Sequence, residues 1–282
     1  AGGIVGNPKI DSSASANRRL YSYEPRQNVR QEMADMPLIT APGVGTPVEE
    51  SRCWFGLESV GDGLDALIFA YGGGTHGKSS ELSKADAGTA KPQDGDSNLV
   101  TSRVDMYNPN EDAWTAGVPN SLDEPIFQFA SSSFWNENGR VLYVFGGVIA
   151  DGTIRDKCWK GVVTGTPPTI VWTEIAKPVV STVPVKLWGH VAARIGKVIY
   201  LIGGVQDDGS GGEELSKKIF KGTITTSGGS FGDITWDAAP VDIGTAGDGP
   251  DLIGYFHMGA AVVDDKVYLY GGRAGIGRSS GH

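Results

Sequence analysis

The run Lys197-Val-Ile-Tyr-Leu-Ile-Gly203-Gly204 decides the fold, because a short strand rich in β-branched and aromatic residues ends at two glycines. The pattern occurs three more times, at Ala66-Leu-Ile-Phe-Ala-Tyr-Gly72-Gly73, Arg140-Val-Leu-Tyr-Val-Phe-Gly146-Gly147 and Lys266-Val-Tyr-Leu-Tyr-Gly271-Gly272. Four strands with one terminator indicate an internal repeat. Their spacing suits the four-stranded sheets of a propeller joined by loops of unequal length.

The composition of the 282 residues agrees with an all-β chain. Its 42 glycines and 15 prolines are too many for a helical protein, and a hydrophobic content of 39% argues against disorder. The net charge of -9 repels phosphate backbones, so nucleic acid is not an expected partner. No apolar run has the length of a membrane-spanning helix, so insertion into a membrane is not expected either.

The first residues do not resemble a targeting segment. They lack the basic and apolar regions of a signal peptide, so we expect a cytoplasmic protein or one incorporated into a particle such as a virion. Residues 1–16 are rich in Gly, Ser and Ala and predict a flexible N-terminal arm. Cys53 and Cys158 fall in different repeats, and we expect two free thiols packed as small hydrophobic groups, with a disulfide or redox pair as the alternative.

The two ends of the chain hold complementary parts of a repeat. Arg19-Leu-Tyr-Ser-Tyr23-Glu-Pro25 and Val104-Asp-Met-Tyr107-Asn-Pro109 both read as a strand, a Tyr-x-Pro turn and a second strand. The last repeat has only its first two strands. We therefore predict that residues 18–34 pair beside residues 256–272 and close a ring.

The predicted architecture is a single all-β propeller domain over residues 17–282 with four four-stranded blades. The expected blades span residues 51–120, 125–180, 187–240, and 255–282 together with 17–37.

These features resemble the kelch repeat, in which a strand ending in Gly-Gly is followed by a Tyr and then a Trp. The Tyr and Trp are both present at Tyr107 and Trp114, whereas Trp159 and Phe220 are expected at the Tyr position in the next two repeats. Tyr23 keeps that position near the N-terminus, where Arg30 replaces the Trp. The resemblance implies a propeller but not a function, since kelch propellers include enzymes, adhesins and scaffolds.

A structural role is expected for the repeated glycines and tryptophans. The glycines permit close approach at the strand ends, and the indole rings are expected to pack between blades. These residues are Gly72, Gly73, Gly146, Gly147, Gly203, Gly204, Gly271, Gly272, Trp114, Trp172 and Trp236.

The candidate binding residues lie at the expected mouth of the central channel. His190 and His257 each precede the first strand of a repeat and read as equivalent positions, and Arg273 follows the last glycine pair. A hydrogen-bonded histidine that belongs to the blade is the alternative to a ligand-binding one. His76 is expected to be a solvated loop residue.

No catalytic or metal-binding motif is recognisable in the sequence. The set of residues that binds copper in galactose-oxidase-like kelch propellers has no match here, and we expect no cofactor and no metal. The stretch Asp94-Gly-Asp96-Ser-Asn98 resembles the start of a calcium loop but lacks its glycine and bidentate glutamate. The acidic loop 207–214 is interpreted first as a flexible turn and only second as a cation site.

Two classes of function stay open. The first is a non-enzymatic binding or assembly module that contacts protein or glycan partners through its loops and N-terminal arm, alone or as an oligomer, such as a component of a virion or appendage. The second is a carbohydrate-active propeller enzyme of the sugar oxidase or isomerase type. The enzyme would need His190, His257 and a carboxylate to converge at the channel mouth.

Overall fold

The computed structural model describes residues 19–24, 26–41, 48–50, 52–75, 100–207, 212–243 and 255–274. The predicted arm, His76, the 94–98 stretch and part of the acidic loop lie outside the described residues. Described segments contain β-strands and one 3-10 turn, Gly63–Asp65. No helix among them has the length and apolar character needed to cross a bilayer.

Two short hairpins precede the first large sheet. The N-terminal hairpin consists of β1 (Tyr21–Glu24) and β2 (Val29–Glu32), and the next pair consists of β3 (Ile39–Ala41) and β4 (Val48–Glu50).

Three large antiparallel sheets, called blades 1 to 3, follow in chain order, each with its innermost strand first. Blade 1 contains β6 (Gly56–Val60), β7 (Leu67–Tyr71), β9 (Val104–Asn108) and β10 (Ala113–Thr115), with β5 (Arg52–Cys53) and β8 (Gly74–Thr75) paired at its edge. Blade 2 contains β11 (Ala130–Asn136), β12 (Gly139–Phe145), β13 (Cys158–Thr164) and β14 (Thr169–Ile175). A small hairpin follows, with β15 (Val179–Val180) and β16 (Val183–Pro184).

Blade 3 adds a fifth strand to the same order. Its strands are β18 (Val191–Ile195), β19 (Val198–Ile202), β22 (Lys218–Ile224), β23 (Ile234–Trp236) and β24 (Val241–Asp242), the last paired with β22. A small sheet beside it contains β17 (Leu187–Trp188), β20 (Val205–Asp207) and β21 (Glu213–Leu215). The C-terminal hairpin is formed by β25 (Tyr255–Val263) and β26 (Lys266–Ala274).

The arrangement of the blades is propeller-like. The inner strand β6 packs beside β11, β11 beside β18, and β18 beside β25. Two of the three apolar clusters lie between the faces of neighbouring blades, and Trp172 and Trp236 pack against them. The Trp172 ring lies 5.7 Å from that of Tyr71 in blade 1, and the Trp236 ring lies 6.0 Å from that of Phe145 in blade 2. The expectation of an all-β, propeller-like fold is thus confirmed.

The glycine pairs also connect neighbouring blades. The Gly73 N–H donates to the Ile126 carbonyl at 2.7 Å, and the Gly147 N–H donates to the Leu187 carbonyl at the same distance. Each acceptor precedes the inner strand of the next blade. A side chain on the first glycine of either pair, Gly72 or Gly146, would crowd the segment that leads into the next blade, so the repeated motif holds the blades in contact.

The residue paired with the repeated tryptophan differs from the expected one in blades 2 and 3. In blade 1, Tyr107 pairs with Trp114, but in blades 2 and 3 the residues opposite Trp172 and Trp236 are Gly161 and Gly222. Trp159 and Phe220 lie two positions earlier in their strands, so the expectation that they replace the Tyr is wrong. The glycines leave the space that the flat indole ring fills.

The predicted pairing between the two ends of the chain is not formed within the described residues. The N-terminal hairpin and the C-terminal hairpin are separate two-stranded sheets. The segment after β2 is instead bound to blade 1, because the Ala34 N–H donates to Asp112 at 2.7 Å and Arg103 donates to the Pro37 carbonyl at 3.3 Å. The described strands therefore form three full blades and two half-blades.

Candidate functional site in the central cavity

The inner strands line a partly open cavity of about 190 Å³. Small side chains line most of it, because four strands converge there and leave little room for larger ones. Two charged side chains interrupt this lining, Glu58 from β6 and Arg194 from β18. The full lining is Glu58, Ser131, Ser132, Ser133, Ala192, Ala193, Arg194, Ala260 and Val262.

Glu58 is held in place by the serines of blade 2. The Ser131 hydroxyl donates to Glu58 Oε1 at 2.7 Å, and the Ser133 hydroxyl donates to the neighbouring Ser59 carbonyl at 2.8 Å. Burial raises the pKa of the Glu58 carboxyl, while the hydrogen bond from Ser131 acts in the opposite direction. The carboxylate is therefore positioned and poorly hydrated, so a ligand that donates hydrogen bonds would improve its environment.

Arg194 enters the cavity from blade 3. Its Nη1 donates to the Gly196 carbonyl at 2.7 Å, and its guanidinium lies 5.7 Å from the centre of the Phe134 ring. Burial lowers the pKa of Arg194, and the charge of Glu58 opposes that shift. The cavity thus presents a carboxylate, a guanidinium and serine hydroxyls to whatever enters it.

The channel mouth is built from backbone hydrogen bonds that run from blade to blade. The Gln128 N–H donates to the Trp54 carbonyl at 3.2 Å, Gly189 donates to Gln128 at 2.8 Å, and His257 donates to Gly189 at 2.7 Å. All four residues have positive φ, between 52° and 62°. Trp54, Gln128 and Gly189 lie two residues before the first paired residue of their inner strands. His257 holds the equivalent position in β25, two residues before Gly259, which pairs with Tyr270 as Gly56 pairs with Tyr71.

The sequence suggested that the two histidines are equivalent, but the structure places them at different repeat positions. His257 belongs to the row of mouth residues, and the centre of its imidazole lies 5.8 Å from the centre of the Trp188 ring. His190 lies one residue nearer its strand, where blade 2 has Phe129. The backbone of Arg273 pairs with Phe256 in the C-terminal hairpin, and its side chain lies outside the described part of the structure. Neither histidine is among the residues that line the cavity.

His190 is a core residue in this arrangement. It is buried beside Gly146 and Gly204, and neither ring nitrogen has a hydrogen-bond partner among the described residues. Burial lowers the pKa of His190 to about 3. The ring is neutral at pH 7 and occupies the position that a phenylalanine fills in blade 2.

Replacing His190 with phenylalanine should stabilise the protein by about 1–2 kcal/mol at pH 7, because two unpaired buried polar atoms are removed. The wild type should also lose stability as the pH falls below about 6.5 towards 3, since the unfolded state binds a proton that the folded state excludes. His190→Phe should weaken this acid dependence. Urea unfolding at pH 7 and pH 5 measures both effects, and a destabilised variant at pH 7 would contradict the assignment.

Sequence reasoning missed Glu58 and Arg194. Each is the only charged residue in a short inner strand, and this isolation was the available signal. It becomes informative only when the four inner strands are aligned by their pairing register.

Cys158 is not among the residues that line the cavity. Cys158 is buried and free, and burial raises the pKa of its thiol, while the Cys53 side chain lies outside the described residues. No group of three or more His, Cys, Asp or Glu side chains in the described ranges is arranged to hold a metal ion.

The comparisons with known proteins identify the fold and no family. No family model matches the chain, and no curated protein matches it. Among 144 matching chains of solved structures is one titled "Structure of YjhT", with 14% identity and a TM-score of 0.55. The match covers 92% of this chain and 70% of that one. The fold and cavity define an all-β protein of the propeller-like class.

Proposed function

We propose that the protein is a non-enzymatic binding module whose central cavity takes a hydroxyl-rich group, such as one sugar residue of a glycan. The observation that carries the proposal is that Glu58 and Arg194 line one cavity together with serine hydroxyls. Together they can accept and donate the hydrogen bonds of sugar hydroxyls. The cavity is smaller than the roughly 300 Å³ at the lower end of drug-sized pockets, which favours a single ring.

Binding is favoured over carbohydrate-active catalysis. The enzyme reading required two histidines and a carboxylate together, whereas His190 packs against glycines and Glu58 is bonded to Ser131. The proposal also includes kelch membership and a role in assembly, within a particle such as a virion or appendage. Its supports are the repeated Gly-Gly strands and the tryptophans that pack between blades.

Screening the full chain on a glycan array tests the proposal. We expect binding to a defined set of glycans, and Arg194→Met should weaken it at least about ten-fold, because a hydrogen bond to a charged group is lost. Lys221→Met is the matched control, since Lys221 pairs with Asp237 on the exposed side of blade 3. NMR of the recovered glycan should show it unchanged.

Two results would contradict the proposal. Equal binding by the Arg194 variant and the Lys221 variant would move the site away from the cavity. Chemical conversion of the glycan would show that the protein is an enzyme and contradict the proposed binding function.

A further inference from the structure

The N-terminal hairpin has the detailed geometry of the outer half of a blade. The Tyr23 hydroxyl donates to Asn28 at 2.9 Å, as the Tyr107 hydroxyl donates to Asp112 at 2.7 Å in blade 1. Both acceptor residues have positive φ, 52° and 46°. Tyr23 pairs across the hairpin with Arg30, where Tyr107 pairs with Trp114.

The position of this hairpin is also that of an outer half-blade. The Trp172 indole donates to the Asn120 carbonyl at 3.1 Å, and the Trp236 indole donates to the Ala176 carbonyl at 2.7 Å. In both cases the acceptor follows the last strand of the preceding blade. The Trp114 indole donates in the same way to Ala34, at 2.9 Å, and Ala34 follows β2. The N-terminal hairpin therefore occupies the outer edge of a blade that would precede blade 1.

The C-terminal hairpin is the complementary inner half. Its strand β26 corresponds to β7, since Tyr270 pairs with Gly259 as Tyr71 pairs with Gly56. Tyr71 is fully buried, whereas Tyr270 is 59% exposed and Tyr268 is 51% exposed. In blade 1 the outer strand β9 pairs with β7, but in the described residues no strand pairs with β26 on that side.

The blade 1 register predicts how the two halves fit. Ile68 pairs with Tyr107 there, and the equivalent pair is Val267 with Tyr23. The same register places Tyr268 opposite Ser22 and Lys266 opposite Glu24. An aromatic residue beside a β-branched one and a pair of opposite charges are favourable cross-strand neighbours.

Within the described residues, the two halves do not cover each other in one chain. Tyr23 is 60% exposed while Tyr270 is 59% exposed in the same molecule, and the bonds of Ala34 and Pro37 hold the N-terminal hairpin on blade 1. We propose that a second copy of the chain is the occupant: β1 of one protomer pairs with β26 of its partner and completes a four-stranded blade between them. Such a contact is head-to-tail, and repetition yields a ring or a filament.

Cysteine cross-linking tests this pairing and its register. Ser22→Cys and Tyr268→Cys are made separately in a Cys53→Ser background, both at exposed positions. Facing residues of adjacent strands lie close enough for a disulfide. When the two variants are mixed and oxidised, we expect a covalent dimer on a non-reducing gel. Sedimentation of the wild type should show a mass that rises with concentration.

The control is a mixture of Ser22→Cys with Leu269→Cys, because the neighbouring residue points to the opposite face of the strand. We expect at least about five-fold less dimer from this pair, since a one-residue shift reverses the faces. Equal dimer from both mixtures, or none from either, would overturn the proposal. So would a double variant, Ser22→Cys with Tyr268→Cys, that closes within one chain at high dilution.

Discussion

Replacing Gly146 with alanine should lower the free energy of unfolding by about 4 kcal/mol, from left-handed strain and overpacking together. Gly146 has φ 57°, and an added Cβ would collide with the Leu187 carbonyl oxygen and approach His190 Cε1 at 3.2 Å. Both contacts belong to the segment that leads into blade 3. The substitution would push two blades apart where the backbone cannot yield easily.

The matched control is Gly271→Ala, which changes the same position in the C-terminal hairpin. Gly271 has φ 68°, but an added Cβ would meet no described atom within 4 Å. Only the backbone strain remains, so we expect a loss of about 1–2 kcal/mol. Urea unfolding of the two variants beside the wild type separates strain from collision. Equal losses would show that the collision between blades contributes nothing.

Replacing Asp105 with alanine should destabilise the protein by about 3–5 kcal/mol, because a buried arginine is left without its counter-ion. Arg52 Nη2 lies 2.6 Å from Asp105 Oδ2, and both side chains are fully buried. Burial lowers the pKa of Arg52 to about 10, although the negative charge of Asp105 acts to raise it. Asp105 also accepts a hydrogen bond from the Gly117 N–H at 2.8 Å, and its Oδ2 lies 2.9 Å from Arg103 Nη2.

Two further variants make the Asp105 experiment specific. Asp237→Ala removes the exposed partner of Lys221 and should cost less than about 1 kcal/mol. The double variant Arg52→Met with Asp105→Leu should recover much of the loss, since apolar replacement of a buried pair is often tolerated. Denaturant unfolding gives all three values. An Asp105→Ala loss no larger than that of Asp237→Ala would remove this ion pair from the account of stability.

The fold was predictable because its signal is local. A strand that ends at two glycines is read directly from the sequence, and the structure has such strands at β7, β12, β19 and β26. The Tyr-x-Pro pattern at Tyr23 likewise predicts an outer half-blade, and the hydrogen bond from the Tyr23 hydroxyl to Asn28 agrees with that prediction.

The candidate site was not predictable in the same way. Glu58 and Arg194 come from blades 1 and 3, and only the convergence of the inner strands places them in one cavity. The histidines were misaligned by one residue, because the glycine pairs alone do not give the pairing register. The prediction that the two ends close the ring failed for a similar reason. The two hairpins match in sequence pattern, but the hydrogen bonds of Ala34 and Pro37 determine where the N-terminal hairpin lies.

The row of backbone hydrogen bonds at the channel mouth makes the entrance suitable for engineering. Trp54, Gln128, Gly189 and His257 connect the blades through N–H and carbonyl groups that every residue except proline possesses. Their side chains are therefore not needed for the connection, and Trp, Gln, Gly and His already occupy the four places. All four residues have positive φ, and a Cβ on Gly189 would lie 3.0 Å from His257 Cδ2. A library at Trp54, Gln128 and His257, limited to residues that tolerate positive φ such as Gly, Asn, Asp and His, would vary the chemistry of the entrance while the scaffold stays linked.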